Sequence, residues 1–76
     1  MELNEQQRDV LGAVKAAGQT TVSELARVTG QHAMTVKRVL GELEADARVS
    51  QVVDADSGDV TWSATARGAD LLDAES

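Results

Sequence analysis

Cysteine, proline, phenylalanine and tyrosine are all missing from this chain of 76 residues. Without cysteine, neither a disulfide framework nor a thiolate zinc site can form. No apolar run approaches the roughly 20 residues that a membrane-spanning helix needs. The amino-terminal segment is acidic and polar, whereas a signal peptide would begin basic and then turn apolar. We therefore expect a cytoplasmic protein that does not engage a membrane.

The charge balance is acidic, with 13 Asp and Glu against 7 Lys and Arg and a formal net charge of −6. Abundant carboxylates, with Ala, Val and Leu as the main apolar residues, are typical of proteins from extreme halophiles. Such carboxylates keep a protein hydrated in strong salt, where the Debye length falls to about 3 Å at 1 M. An ordinary acidic bacterial domain is the alternative. The length suits a single small domain, predicted over residues 1–76.

Capping residues and glycines divide the chain into short segments. Asn4 and Gln7 have the spacing of a capping box, and Gly18 offers a left-handed stop. Between them, apolar residues recur at helical spacing. These signals predict a first helix from Asn4 to Ala17.

The middle of the chain predicts two more helices. Thr21 and Glu24 form a second capping-box pattern, which opens a short helix that Gly30 ends, and a brief β-prone segment over residues 20–22 precedes it. A third helix is predicted over residues 33–46, because apolar residues recur there at spacings of three, four and seven. Its apolar face consists of Val36, Val39, Leu40 and Leu43.

Two β-prone segments, "RVSQVV" and "DVTWS", flank the turn-forming segment "DADSG" and predict a hairpin. Pairing Val53 with Val60 places alternate residues on one face that should cover the helices, and the single tryptophan would then close a core without other aromatics. Thr65 is predicted to cap a last helix, with Leu71 and Leu72 as its apolar anchors. The covering face would consist of Val49, Gln51, Val53, Val60, Trp62 and Ala64.

One segment of this acidic chain has no acidic residue: Leu25 to Gly41 contains three basic residues, Arg27, Lys37 and Arg38. A recognition helix needs such a surface, because its amino-terminal half enters the major groove, where arginine binds guanine and lysine reaches phosphate. Acids there would be repelled by phosphate. The alternative is a solvated helix face whose charge pattern arose by chance. At 100° per residue, the side opposite the apolar face holds Gln31, Met34, Lys37, Arg38, Gly41 and Ala45.

Two motifs lie between Thr21 and Leu72. The pattern T-V-S-x-L-A…G…T-V-x-R-x-L-x-x-L stands from Thr21 to Leu43, and T-x-x-G-x-x-L-L stands from Thr65 to Leu72. With them the chain resembles the winged helix-turn-helix family, particularly regulators of the MarR and ArsR groups. The resemblance implies a mainly α, α+β fold in the order α-β-α-α-β-β-α with a two-stranded wing. It also implies a transcriptional regulator that places the helix over residues 33–46 in the major groove of double-stranded DNA, as a homodimer matched to palindromic operators.

Within this family resemblance, four further residues join Gln31, Met34, Lys37 and Arg38 as predicted DNA contacts, and Ala33 is one of them. His32 takes the helix-capping position of the motif, where it could contact phosphate or a base. The Thr35 hydroxyl could reach a phosphate, although a structural role explains it equally well. Arg48 would add a basic site beside the wing. The full predicted set is Gln31, His32, Ala33, Met34, Thr35, Lys37, Arg38 and Arg48.

Neither a metal, a cofactor nor a catalytic activity is expected from these residues. A lone histidine without cysteine is more often a surface or capping residue than a metal ligand. No nucleophile, base and orienting acid fall at a recognisable spacing, and the sequence has no glycine-rich phosphate loop.

The predicted hairpin departs from the family pattern at its tip. Related wings often carry arginine or lysine, whereas this one carries Asp54, Asp56 and Asp59, which DNA should repel. A second hypothesis follows: a winged-helix module that binds a protein partner through its acidic wing, without direct DNA binding. Ala47 and Arg48 also stand where related domains place glycine and an apolar residue, which predicts a non-glycine end for the third helix.

Overall fold

A computed structural model describes residues 3–75 of the chain and shows four helices and one hairpin there. The elements are α1 (Glu5–Ala17), α2 (Val22–Thr29), α3 (Ala33–Ala45), β1 (Val49–Val53), β2 (Val60–Ala64) and α4 (Ala66–Glu75). The fold is mainly helical α+β, as predicted, and the predicted domain over residues 1–76 extends beyond the described residues at both ends. Among residues 3–75, none of the helices combines the length and the hydropathy that a membrane-spanning helix requires.

The first helix begins through the predicted capping box. Asn4 Oδ1 accepts a hydrogen bond from the Gln7 N–H at 2.7 Å, and Gln7 Oε1 accepts one from the Asn4 N–H at 3.1 Å. Asn4 is therefore the cap of α1 and not its first residue. At the other end, Gly18 adopts a φ of 79°, which favours glycine, and its N–H bonds to the Val14 carbonyl.

The short strand predicted before α2 is wrong, and the order within residues 3–75 is α-α-α-β-β-α. Thr20 alone pairs with the hairpin: its N–H donates to the Trp62 carbonyl at 3.0 Å and its carbonyl accepts from the Trp62 N–H at 2.7 Å. Pairing stops there because Thr21 is already the cap of α2. Its Oγ1 accepts a hydrogen bond from the Glu24 N–H at 3.2 Å, which turns the backbone into the helix.

The core lies between the first three helices and the base of the hairpin. The predicted apolar face of α3 is confirmed, since all four of its residues are fully buried. Trp62 is 8 % exposed and packs in the same cluster, and Leu71 and Leu72 of α4 lie half-buried against it. The cluster consists of Leu3, Val10, Leu11, Val14, Leu25, Val36, Val39, Leu40, Leu43, Val49 and Trp62.

The hairpin has the predicted register, with Val53 opposite Val60 and Gln51 opposite Trp62. Its inner face, however, covers the helices only at the base. Val49 is buried, whereas Val53 and Val60 are 59 % and 42 % exposed. The prediction that the whole face is covered is therefore wrong, because the outer half of the hairpin extends past the helices.

The end of α3 is held by backbone contacts. Ala47 adopts a φ of 59° in the place where glycine is usual, as the sequence predicted, and the Arg48 N–H bonds to the Leu43 carbonyl at 2.9 Å. Thr65 then caps α4, accepting from the Gly68 N–H at 3.1 Å while its hydroxyl donates to the Ala47 carbonyl at 2.6 Å. The motif needs glycine at position 68, because a Cβ there would overlap the carbonyl oxygen of Arg48.

Candidate nucleic-acid interface

A tight turn sets the angle between α2 and α3. Gly30 adopts the left-handed conformation, with a φ of 73°, and its N–H bonds to the Ala26 carbonyl at 3.0 Å. The Thr29 hydroxyl donates to the Leu25 carbonyl at 2.7 Å and accepts from the Gln31 N–H at 3.3 Å. These bonds close the end of α2 and leave the start of α3 at the surface.

The amino-terminal half of α3 presents an exposed surface without acids. Met34 is 83 % exposed, and Lys37 and Arg38 are exposed beside it. His32 occupies the cap position, as the motif predicted, but its side chain makes no capping hydrogen bond, and the first turn holds no acid. The first backbone N–H groups of this helix therefore have no side-chain partner from the cap, which favours an approaching anion.

The remaining predicted contacts of this region lie close to the same surface. Ala33 is exposed in the first turn of α3, and Thr35 is half-buried on its flank. Gln31 is half-buried just before the helix, and its Oε1 is buried without a hydrogen-bond partner within the described residues. The structure thus brings seven of the eight predicted residues together at one end and side of α3.

Arg48 is the residue that the structure does not bring to this surface. Only 6 % of it is exposed, and its guanidinium approaches the Asp46 carboxylate, with 3.4 Å between Nη1 and Oδ2. Its Nε is buried and has no partner within residues 3–75. The predicted basic site beside the wing is therefore corrected: the Arg48 side chain lies inside the protein.

The two acids that border the acid-free segment reach back to its arginines. Glu24 pairs with Arg27, and Glu42 Oε2 lies 3.0 Å from Arg38 Nη1. Lys37 shows no ion pair with any residue from 3 to 75, so it is the cation of the segment that remains unneutralised. Its ammonium is free to meet a phosphate.

Arg38 has a second contact that the sequence did not predict. Its Nη2 donates to Gln6 Oε1 of α1 at 2.8 Å, across 32 positions of sequence. Gln7, the next residue of α1, donates from Nε2 to Glu42 Oε1 at 3.2 Å. The spacing of four between Arg38 and Glu42 could have indicated their ion pair. No local signal points to the two glutamines, because their contacts depend on how α1 packs against α3.

The wing carries its three acids exposed at the tip. Asp54 organises the turn, since its Oδ1 accepts from the N–H groups of Asp56 at 2.8 Å and Ser57 at 3.2 Å. Asp59 continues the turn by donating its N–H to the Ser57 hydroxyl at 3.2 Å. The Asp54 carboxylate thus has a role in the turn itself, whereas Asp56 and Asp59 contribute their backbone N–H groups. Within residues 3–75 no group of three His, Asp or Glu side chains is arranged to hold a metal ion, and no pocket is formed.

Comparison with known proteins finds similarity only in three dimensions: no protein-family model and no curated protein matches the chain. Among solved structures, a MarR variant from E. coli in complex with operator DNA matches with a TM-score of 0.87, 22 % identity, and coverage of 95 % of this chain and 52 % of that one. A probable transcriptional regulator from Pseudomonas aeruginosa matches with a TM-score of 0.86 and 26 % identity, over 95 % of this chain and 55 % of that one. BpsR from Bordetella bronchiseptica, whose DNA binding is regulated by 6-hydroxynicotinic acid, matches with a TM-score of 0.88 and 24 % identity, over 95 % of this chain and 52 % of that one.

The chain therefore spans about half the length of the structures that it matches. One of them is named a probable transcriptional regulator, and another MarR structure that matches the chain is named a multiple antibiotic resistance repressor. The predicted halophilic origin gains no support from them. Over nearly its whole described length, this chain is structurally similar to the MarR-family winged helix, a fold typical of DNA-binding transcriptional regulators.

Proposed function

We propose that this chain is the DNA-binding part of a transcriptional regulator and that α3 enters the major groove of double-stranded DNA. The observation that supports this most strongly is the exposed, acid-free surface at the start of α3 in a chain of net charge −6. Phosphate contacts supply much of the affinity of such proteins, so a surface cleared of carboxylates has a direct physical advantage.

Each outward side chain has a chemistry suited to the groove. Arg38 can bind O6 and N7 of guanine bidentately. Lys37 would neutralise a phosphate, and the thioether of Met34 could pack against a thymine methyl group. The E. coli MarR variant bound to operator DNA is a fold relative in which DNA recognition is seen.

The proposal includes a single domain over residues 1–76, cytoplasmic action without catalysis, and a homodimer on palindromic DNA. A single recognition helix reads one half-site, so two-fold symmetry would double the contact. On a palindromic duplex at saturation, the stoichiometry should be two chains per duplex.

A fluorescence anisotropy titration with random duplex DNA at several salt concentrations tests DNA binding. Binding should weaken steeply with salt. Lys37→Ala should weaken binding to all sequences similarly and reduce the salt slope by about one, because one phosphate contact is lost. Lys15→Ala is the matched control: it removes the same charge from α1, where Lys15 pairs with Asp73 at 3.0 Å. Equal effects of the two variants would contradict the proposed role of α3.

The second candidate is a protein-binding module that acts through the wing. Its support is the exposure of Val53 and Val60 beside the three tip acids, which together suit a basic partner with apolar side chains. A chain that binds no duplex DNA at any salt concentration would favour this candidate.

A further inference from the structure

The Arg38 side chain does not point straight out from the exposed face of α3 but turns towards α1. Position 38 is near the middle of the outward face of α3, opposite the buried valines and leucines. Its guanidinium nevertheless lies on the flank towards α1, between Glu42 at 3.0 Å and Gln6 at 2.8 Å. The side chain is 54 % exposed, so the contacts hold it at the surface without burying it.

Both partners of Arg38 are connected to α1: Gln6 belongs to this helix, and Glu42 bonds to its residue Gln7. Glu42 uses one carboxylate oxygen for Arg38 and accepts from Gln7 Nε2 with the other, at 3.2 Å. Gln7 is itself fixed by the capping box with Asn4. The position of the Glu42 carboxylate is thus tied to the amino-terminal end of α1.

These contacts engage both terminal nitrogens with which Arg38 would bind DNA. A guanidinium binds a guanine edge or a phosphate through two N–H groups in a fixed fork. Here Nη1 and Nη2 both already donate within the protein, and the Glu42 carboxylate neutralises the charge that would attract phosphate. Each terminal nitrogen keeps a second N–H, but the two contacts turn the guanidinium towards α1, so Arg38 must leave Gln6 and Glu42 to aim its fork at a base edge in front of α3.

We propose that Gln6 and Glu42 compete with DNA for Arg38, so that duplex binding must displace them from its guanidinium. They are positioning residues that act through Arg38. By holding its guanidinium in the free protein, they lower the affinity of the protein for duplex DNA. This inference rests on the proposed function, because it needs α3 to face DNA. It also accounts for the acid at position 42, which directly follows the acid-free segment.

The test compares Glu42→Ala with Glu44→Ala in the anisotropy titration with random duplex DNA. Both variants remove one negative charge from α3 and give the same residue, but Glu44 lies outside the Arg38 network. Glu42→Ala should tighten binding about two- to fivefold more than Glu44→Ala, as expected for loss of an exposed ion pair and its hydrogen bond. Gln6→Ala, which changes no charge, should tighten binding about twofold. Thermal unfolding followed by circular dichroism would verify that each variant is folded.

The same variants in an Arg38→Ala background show whether the effect passes through Arg38. The advantage of Glu42→Ala over Glu44→Ala, and the gain from Gln6→Ala, should both disappear there. A structural role alone would leave these differences in place and so overturn the proposal. If the unmodified chain binds DNA but Glu42→Ala and Glu44→Ala bind equally tightly, the competition is refuted and the proposed function stands. If neither the unmodified chain nor any variant binds duplex DNA, the proposed function fails and this inference fails with it.

Discussion

Trp62 contributes to stability in two ways. Its side chain is the one aromatic group of the sequence and lies in the cluster that also contains Leu11, Val14 and Leu40. Its backbone joins the hairpin to the segment before α2 through the two hydrogen bonds with Thr20. The hairpin base is therefore fixed to the helices by a side chain and a main-chain bridge at one position.

Trp62→Ala should lower the free energy of unfolding by about 3 to 5 kcal/mol, because it removes the largest side chain of the core and leaves a cavity. A domain of this size has a total stability of only about 5 to 15 kcal/mol, so the variant would be close to unfolding. Urea denaturation followed by circular dichroism measures the change. Val28→Ala, at a position that is 60 % exposed, is the control and should change stability by no more than about 0.5 kcal/mol. A loss below 1 kcal/mol for Trp62→Ala would show that the ring is not packed as described.

Residues with local or periodic signals were predicted well from the sequence, and residues whose role depends on packing were not. Trp62 was placed correctly because the two-residue period of a strand assigns it to the inner face. Arg48 was expected to add a basic site beside the wing, but its side chain is buried by tertiary packing, which no local pattern of the sequence shows. The contact of Gln6 with Arg38 could not be predicted from the sequence for the same reason.

For the helices and strands, too, predictions from local signals held better than predictions that depend on packing. The predicted helix caps form, whereas the strand predicted before α2 does not. Asn4, Thr21 and Thr65 cap α1, α2 and α4 as predicted, since a cap is a local hydrogen bond within three residues. The strand expected at Thr20 fails because the same local signal, the Thr21 cap, leaves one residue for pairing. For the candidate interface, the helical period gave the outward face, but not the direction in which Arg38 points on it.

The start of α3 differs from the other helices within the described residues in having no side-chain cap. His32 at this position makes no capping bond, whereas aspartate there would accept from the backbone and suit the helix dipole. His32→Asp should therefore raise the free energy of unfolding by about 0.5 to 1 kcal/mol. It should at the same time weaken duplex binding, because the new carboxylate would face phosphate.

Gln19→Asp is the control for this substitution, since it adds the same charge at an exposed position between α1 and α2. Urea unfolding and DNA titration of both variants would separate the two effects. Should His32→Asp bind DNA as tightly as Gln19→Asp does, the start of α3 would not be in contact with phosphate.

Charge is distributed unevenly over the protein, and this unevenness bears on how it would meet DNA. The net charge of −6 opposes association with a polyanion, while α3 presents Lys37 and the paired Arg38 without an acid in its first turn. The acids of the wing tip stand exposed at the end of the hairpin, which extends past the helices. A long-range repulsion and a short-range attraction therefore act together, and they differ in their dependence on salt.

Replacing Asp54, Asp56 and Asp59 together by asparagine tests the first of these forces. Asparagine keeps the side-chain oxygen with which Asp54 accepts from the turn, so the hairpin should keep its shape. DNA binding should become tighter chiefly at low salt, because the removed repulsion is Coulombic and is screened over about 10 Å at 0.1 M and about 3 Å at 1 M. Sequence preference should hardly change, since it depends on contacts of α3 with base edges. If the triple variant binds DNA as the unmodified chain does at every salt concentration but no longer captures a protein partner, the wing is a protein-binding surface. The acid-free face of α3 would then need a different explanation.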